Sequence, residues 1–294
     1  MKKLIVLSLL IVVVLSSCGQ SEDVVIIKTS YGEIVAILYN ETPKHKENFL
    51  KLAKEHYYDS TMFHRVVKDF MIQGGDPDSK KAAKGQHLGL GDPGYTIPAE
   101  FVPKYFHERG EIAAARLGDD QNPKRESSGS QFYIVQGKVV PEQEYKSQYG
   151  VDWQKLMSEL QGLYQAGGHK SMFDTLNVIG QSGDRAAYQA KLASLAPRIE
   201  KITGKTVTKP ISQERLKAYT SVGGTPFLDD QYTVFGKVIS GMDVVDKIAA
   251  VQVDPSARPM DDVRMTIMVM RMKRKEIEKK YGYKIPEVKK EGKK

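Results

Sequence analysis

The 294-residue chain has few of the residues that support covalent, redox or metal chemistry. Its single cysteine, Cys18, cannot form a disulfide within the chain. The six histidines form no HExxH motif and no metal-ligand cluster, so the sequence predicts no metal site. A GxSxG motif is also missing, which excludes the nucleophile elbow of an α/β-hydrolase. We therefore predict a function without metal, cofactor or covalent intermediate.

One glycine-rich stretch has the spacing of a dinucleotide-binding loop, GLGDPG at 89–94. Pro93 lies inside it, Pro98 follows soon after, and the sequence predicts no helix behind it. A phosphate-binding loop needs such a helix, so we expect no nucleotide here.

Long apolar runs are confined to the N-terminus. Lys2 and Lys3 precede an apolar stretch from Leu4 to Leu15, which is too short for an ordinary transmembrane helix and is typical of a secretory signal. The LSSC sequence that ends at Cys18 resembles the lipobox of bacterial lipoproteins. This resemblance implies a signal peptide at 1–17, an acylated Cys18 and a short linker to residue 23. The alternative is cleavage and release, with Cys18 incidental.

Excess positive charge is confined to the C-terminus. The formal net charge is +8, and it becomes +6 once Lys2 and Lys3 leave with the signal. Residues 271–294 hold eleven Lys/Arg and four Glu, a net of +7, which leaves about −1 for the rest. We predict a basic tail at 273–294, solvated and partly disordered or attracted to anionic surfaces. We expect no nucleic-acid partner.

Short apolar runs predict a mainly β fold. Two helices are predicted between these runs, one beginning at Thr42-Pro43 and one containing Met242, Val245 and Ile248. We predict a closed antiparallel β-barrel capped by two helices, formed by 24–137 and 223–272. The strand-like runs are 24–29, 33–39, 62–66, 70–73, 111–115, 131–136, 233–238 and 263–272.

A large α-helical insertion interrupts this pattern at 138–222. Apolar residues recur at helical spacing over 153–164 and 188–202, and a shorter helix is predicted over 212–220. We expect Pro197 to kink or divide the second of these helices. The apolar faces predict either a self-packed decoration or an arm that holds unfolded chains.

Residues 62–76, MFHRVVKDFMIQGGD, predict a hairpin that places Arg65 and Gln73 beside exposed apolar groups. We expect His64 and Arg65 to point outward. A cation, an amide and an apolar pocket suit a reaction that breaks no bond, such as prolyl isomerisation. Its barrier of about 18–20 kcal/mol comes from lost amide resonance. A preorganised arginine that donates to the prolyl nitrogen would stabilise the twisted state.

Four blocks in order resemble the cyclophilins, the peptidyl-prolyl cis-trans isomerases. They are FHRVVKDFMIQGGD (63–76), GEIAAAR (110–116), GSQFYI (129–134) and FLDDQYTVFGKVISGMDVVDKI (227–248). The resemblance implies that Arg65 is the catalytic arginine and that Gln73 orients it. It implies a substrate site formed by Phe70, Met71, Ala115, Arg116, Gln131, Tyr133, Phe227, Leu228 and Tyr232.

Several of these positions depart from the family pattern. Arg116 stands where the family often has Asn, Tyr133 where it has a pocket Phe, and Tyr232 where many members have His. Phe227 replaces a Trp that is linked in the family to cyclosporin binding, so we expect weak inhibition by that drug.

Taken together, these features predict a prolyl isomerase anchored in a bacterial cell envelope, in the outer membrane rather than the inner. Its partners would be proline-containing unfolded or nascent envelope proteins and the membrane itself, and it would assist the folding of secreted or membrane proteins. The alternative is a proline-segment binding module or holdase chaperone with little turnover.

Overall fold

The computed structural model describes residues 20–286 and is built around antiparallel strands. The strands are β1 (Ser21–Thr29), β2 (Gly32–Leu38), β3 (Phe63–Val67), β4 (Met71–Gly74), β5 (Thr96–Ile97), β6 (Glu111–Ala114), β7 (Ser127–Ser128), β8 (Phe132–Val135), β9 (Val234–Ser240) and β10 (Met265–Lys273). The α-helices are α1 (Pro43–Lys54), α2 (Glu142–Tyr149), α3 (Trp153–Gln165), α4 (Lys170–Gln181), α5 (Arg185–Thr203), α6 (Gln213–Ser221), α7 (Met242–Ala249) and α8 (Arg274–Tyr281). Short 3₁₀ turns cover Pro77–Lys81 and Pro226–Leu228.

Eight strands form one curled antiparallel sheet in the order β10-β1-β2-β9-β6-β8-β4-β3, and β5 pairs with β7 separately. The predicted closed barrel is found only in part, because within residues 20–286 no continuous ladder joins β3 to β10. The two edges meet at a single bridge between Met62 and Arg264. Beside it, the Phe63 N–H donates to the Val263 carbonyl at 2.9 Å.

The two predicted helices pack on this sheet. Pro43 occupies the first turn of α1, where its missing N–H costs nothing. Buried Phe49 on α1 and Val245 and Ile248 on α7 join the main apolar core with strand residues such as Ile27 and Ile134. This core fixes the frame from which the site is built.

The insert, residues 138–222, contains α2–α6 and has two separate cores. Its outer part, α3–α5, packs around Leu156, Leu176 and Ile199. This part joins the remainder where α5 packs on α2 and where Val151 bridges Thr208. The inner part, α2 and α6, packs against the sheet domain through a cluster that includes Phe106, Tyr145 and Tyr219. Pro197 was expected to kink or divide this helix; it lies inside one continuous α5 and does not divide it.

The C-terminal segment is ordered further than its charge suggests. Residue 273 is the last residue of β10, and residues 274–281 form α8, so they are not a solvated tail. Ile277 is fully buried against Val24, Ile26 and Val35, which explains why a basic helix stays docked. The predicted signal at 1–17, Cys18 and the last eight residues of the tail lie outside the described residues. Among the helices of residues 20–286, none has the length and apolar character needed to cross a membrane.

Candidate active site

The β3–β4 hairpin places the predicted catalytic pair side by side. Arg65 and Gln73 are cross-strand neighbours, and the turn between the strands is closed at Asp69, which has a positive φ of 62°. The Asp69 N–H donates to Gln136 Oε1 at 2.7 Å, and this bond stabilises the turn without the usual glycine. Arg65 is exposed, as expected. His64 is buried, so the expectation that it points outward was wrong.

A chain of side-chain amides orients the arginine. Arg65 Nη1 donates to Gln73 Oε1 at 3.2 Å, and Gln73 Nε2 donates to Gln131 Oε1 at 3.1 Å. Gln131 Nε2 in turn donates to the carbonyls of Gly89 and Gly91 at 3.0 and 2.8 Å. Each amide oxygen therefore accepts a hydrogen bond from the arginine side, and each amide nitrogen donates one toward the glycine carbonyls. All hydrogen bonds of this chain, called here the amide relay, run in the same direction.

These residues open onto a groove of about 380 Å³, called here the Arg65 groove. Eight of the predicted site residues line it: Arg65, Phe70, Gln73, Ala115, Arg116, Tyr133, Leu228 and Tyr232. The other three lie elsewhere. Met71 is buried beneath the groove, and Gln131 lies behind Gln73. Phe227 is 52% exposed at the side, with its ring centroid 5.4 Å from that of Phe70.

The charge of Arg65 is free of carboxylate partners among the described residues, in contrast to the other two arginines of the groove. Arg116 pairs with Asp119 at 2.7 Å, and Arg258 pairs with Asp262 at 3.2 Å. Arg65 instead donates a hydrogen bond to the neutral Gln73 amide, and its guanidinium carbon lies 5.8 Å from the Phe70 ring centre. Arg65 therefore keeps donors for a substrate.

Arg116 has a structural role on the groove wall. Its Nε donates to the Gln231 carbonyl at 2.9 Å, and its guanidinium carbon lies 4.5 Å from the ring centre of Tyr232. These contacts, together with the Asp119 pair, fix the arginine that stands at the family's Asn position. It stabilises the loop that carries Leu228 and Tyr232.

Burial controls the charge of His64. Desolvation lowers the pKa of His64 to about 4, although Asp76 opposes the change. The ring is therefore neutral near pH 7 and adds no positive charge beside Arg65.

Sequence reasoning missed part of the groove. The missed lining residues are His64, His87, Leu88, Gly89, Leu90, Ser256 and Arg258. The sequence of residues 89–94 suggests only a nucleotide loop, but in the structure Gly89, with φ of 104°, brings its backbone close to the side-chain amide of Gln131. Arg258 donates to the carbonyls of Ala83 and Gln86 and so fixes the opposite wall. No local pattern connects 256–258 with 87–90, since their contact is purely tertiary.

The groove offers a positioned cation, an amide and apolar walls. Within residues 20–286, no group of three or more His, Cys, Asp or Glu side chains is arranged to hold a metal ion. An oriented donor above apolar walls can hold a proline ring and hydrogen-bond its nitrogen, which favours a twisted amide over a planar one.

Comparison with known proteins gives a consistent result. The family model of the cyclophilin-type peptidyl-prolyl cis-trans isomerases matches residues 24–158 and 211–269, leaving out the middle of the insert. A Staphylococcus aureus protein named "Putative peptidyl-prolyl cis-trans isomerase" is 31% identical over 248 residues, covering 83% of this chain and 89% of that protein. A Staphylococcus saprophyticus protein of the same name is 30% identical over 244 residues, with the same coverage.

A crystal structure of a Cryptosporidium parvum cyclophilin-type isomerase also aligns. It is 21% identical with a TM-score of 0.47, and the match covers 85% of this chain and 98% of the other. The sequence matches alone are sufficient: this chain belongs to the cyclophilin-type peptidyl-prolyl cis-trans isomerases and is an isomerase.

Proposed function

We propose that the Arg65 groove is where the chain isomerises prolyl peptide bonds and that Arg65 is the catalytic residue. The observation that carries this proposal is the orientation of Arg65, which is exposed, has no carboxylate partner among the described residues and is held by Gln73. Phe70 and Leu228 supply apolar walls beside it. Together they form a site for a proline ring and its nitrogen.

In this mechanism the protein changes no covalent bond. As the prolyl amide twists, its nitrogen regains a lone pair and becomes a hydrogen-bond acceptor, which Arg65 contacts more strongly than in the planar state. The amide relay holds the guanidinium in place before the substrate arrives, so little reorganisation is needed. Apolar contact with the proline ring keeps water away from the twisting bond.

The experiment that tests this proposal is Arg65→Ala. We expect isomerisation of a short proline peptide to slow by about two to three orders of magnitude, the loss typical of one preorganised donor. Thermal stability should change little, because Arg65 is exposed. Arg198→Ala, which removes an exposed arginine of α5, is the control. Unchanged turnover in the Arg65 variant would remove this residue from the mechanism.

A binding module or holdase with little turnover is the second candidate. The observation that favours it is an apolar depression of about 870 Å³ on the outer insert, lined by residues that include Trp153, Met157, Tyr164 and Phe173. Met157 and Tyr164 are exposed there. If wild-type protein prevents aggregation of an unfolded client while showing no isomerisation, this candidate replaces the first.

We also propose that the protein is lipid-anchored at Cys18 in a bacterial cell envelope, on its outer membrane, and that it assists the folding of secreted or membrane proteins. The lipobox-like LSSC sequence supports this proposal. The first strand begins at Ser21, three residues after Cys18, a span of at most about 11 Å. Such an anchor would hold the sheet domain against the membrane, and its partners would be proline-containing unfolded chains.

A closed barrel in solution is a further part of the proposal. The bridge at Met62 and Arg264 is extended by a hydrogen bond from the Met265 N–H to the Thr61 carbonyl at 2.8 Å. We expect slow hydrogen exchange of the Phe63 and Met265 amides. Fast exchange of both would indicate an open edge.

A further inference from the structure

A buried chain of hydrogen bonds joins the insert to the wall of the Arg65 groove. Tyr219 of α6 is fully buried, and its hydroxyl donates to both carboxylate oxygens of Asp229 at 2.7 and 2.8 Å. Asp229 Oδ1 also accepts from the backbone N–H of His107 at 2.9 Å and lies 3.1 Å from His107 Nδ1. His107 Nε2 lies 2.9 Å from the hydroxyl of Tyr133, a residue that lines the groove.

The order of donors and acceptors along this chain follows from Asp229. A carboxylate can only accept, so His107 donates to Asp229 from Nδ1. The Tyr133 hydroxyl completes the chain at Nε2. Burial raises the pKa of Tyr133 well above its ordinary value, so this hydroxyl keeps its proton. The position of the Tyr133 ring is therefore coupled to the position of Asp229.

Asp229 is held mainly from the insert side. Arg215 of α6 lies 3.3 Å from Asp229 and donates two hydrogen bonds of 2.9 Å to Asp230. Leu228, directly before these aspartates, is another lining residue of the groove. One short helix of the insert thus holds the loop that supplies one groove residue and, through His107, orients a second.

The packing around Tyr219 makes this connection stiff. Its ring centroid lies 5.5 Å from those of both Phe106 and Tyr145, and Phe106 directly precedes His107. The aromatic cluster and the hydrogen-bond chain therefore both join α6 to Phe106 and His107, the segment that leads into β6. A shift of α6 would move this segment.

We propose that the inner part of the insert orients the isomerase groove through Tyr219, Asp229, His107 and Tyr133, with the first three acting as positioning residues. The inference rests on the proposed function of the Arg65 groove. It gives a role to the hydroxyl that distinguishes Tyr133 from the family's Phe: the hydroxyl links the pocket wall to α6.

A double-mutant cycle with Tyr219→Phe and Tyr133→Phe in the full-length protein tests this inference. Each change removes one hydroxyl and keeps the ring. We expect each to lower kcat/KM for a short proline peptide by about threefold to tenfold, the factor that corresponds to one hydrogen bond. The double variant should be no slower than the slower single variant, because both act through one path.

Tyr145→Phe is the matched control, since it removes a hydroxyl from the same aromatic cluster and leaves the Tyr219–Asp229 bonds in place. NMR gives a readout that is independent of activity. In protein with ¹³C-labelled tyrosine, the ring signal of Tyr133 is identified as the one that disappears in Tyr133→Phe. This signal should shift in Tyr219→Phe and stay in place in Tyr145→Phe.

The possible results separate the two proposals. An unchanged kcat/KM and an unmoved Tyr133 signal in Tyr219→Phe, with wild-type turnover sensitive to Arg65→Ala, would overturn the positioning role alone. Additive losses in the cycle would also overturn it, because they would show that the two hydroxyls affect kcat/KM independently. Lack of wild-type turnover would overturn the proposed function, and the positioning role in catalysis would fall with it.

Discussion

Single side chains in the Arg65 groove depend on burial for their charge state. His64 and Arg65 are adjacent on β3, yet one is buried and the other is exposed. The lowered pKa of His64, about 4, keeps this ring neutral when Arg65 is charged. The groove therefore presents one positive charge from this strand at neutral pH, and acid adds a second charge only at a cost in stability.

The pH dependence of stability gives a test of this burial. Because folding lowers the pKa of His64, the unfolded chain binds the proton more readily between pH 6.5 and about 4. The contribution to stability is therefore present above pH 6.5 and is lost as the pH falls to about 4. We expect His64→Gln to remove about 2 kcal/mol of the stability loss between pH 7 and pH 4.5. Urea unfolding at both pH values measures it.

The pH dependence of stability must be compared between the variant and wild type, because a second group changes the stability in the opposite direction over the same pH range. Burial raises the pKa of Glu111 to about 7, which adds stability as the pH falls from 7 to 4.5. His87→Gln, at an exposed position of the same groove, is the control. Equal pH dependence in wild type and His64→Gln would show that His64 is not desolvated in solution.

The exposed ring of Phe227 leads to a prediction about drug binding. Phe227 lies at the side of the groove against Phe70 and has no N–H to donate, so we expect weak cyclosporin inhibition. Phe227→Trp adds an indole donor at a position with room for it and should strengthen inhibition by about tenfold, as for one good hydrogen bond. An inhibition assay on both proteins measures the effect. Equally tight inhibition of both would contradict the argument.

At the residue scale, sequence reasoning found the groove residues that belong to one local block. Arg65, Phe70 and Gln73 follow from the hairpin pattern and the resemblance, and the structure brings them together. It could not place Arg258 or Leu88, whose approach depends on tertiary contacts between distant loops. Burial of His64 also escaped it, because His64 was expected on the same outward face as Arg65, although successive side chains of a strand point to opposite faces.

Among the elements, the eight strands of the main sheet and the helices α1 and α7 were predictable because their apolar periodicity is regular, whereas the two-residue strands β5 and β7 were not predicted. In the insert, α3, α5 and α6 were predicted for the same reason, whereas α2 and α4 were not predicted. The division of the insert helices into an outer and an inner part was not predictable, because it depends on which core each helix joins. The docking of α8 was hidden by its charge, since a single buried Ile277 provides its main apolar contact.

This division allows two deletions to separate the roles of the insert. Replacing 152–207 with a short Gly/Ser linker removes α3–α5 and keeps α2 and α6. We expect it to leave short-peptide isomerisation nearly unchanged and to slow the proline-limited refolding of a whole protein client, because tethering raises the local concentration of the client. Replacing 139–222 also removes Tyr219 and Arg215, and we expect it to slow both reactions.

Circular dichroism and a thermal melt establish that each deletion variant is folded. If the shorter deletion leaves both reactions unchanged, the outer insert has no client role. If the longer deletion also leaves peptide isomerisation unchanged, the inner insert does not orient the groove.

For the whole molecule, the proposed lipid anchor is Cys18, which lies outside the described residues. We expect Cys18→Ser to move the protein from the membrane fraction to the soluble fraction, because the lipid would be the main source of membrane affinity. Fractionation followed by a high-salt wash measures this. Removing residues 287–294, which carry four lysines, is the control for charge-based binding. A Cys18→Ser protein that stays membrane-bound after the wash would contradict the lipid anchor.

The strand order has a consequence for how the chain acquires its fold. Strand β9 lies between β2 and β6, and β10 lies outside β1, so the last strands in sequence complete the sheet begun by the first. A chain that emerges N-terminus first therefore leaves β2 and β6 without β9 until residue 240 has appeared, and β1 without β10 until residue 273 has appeared. Folding must wait for the end of the chain, and the helical insert, with its own core, is the part that can form before the sheet does.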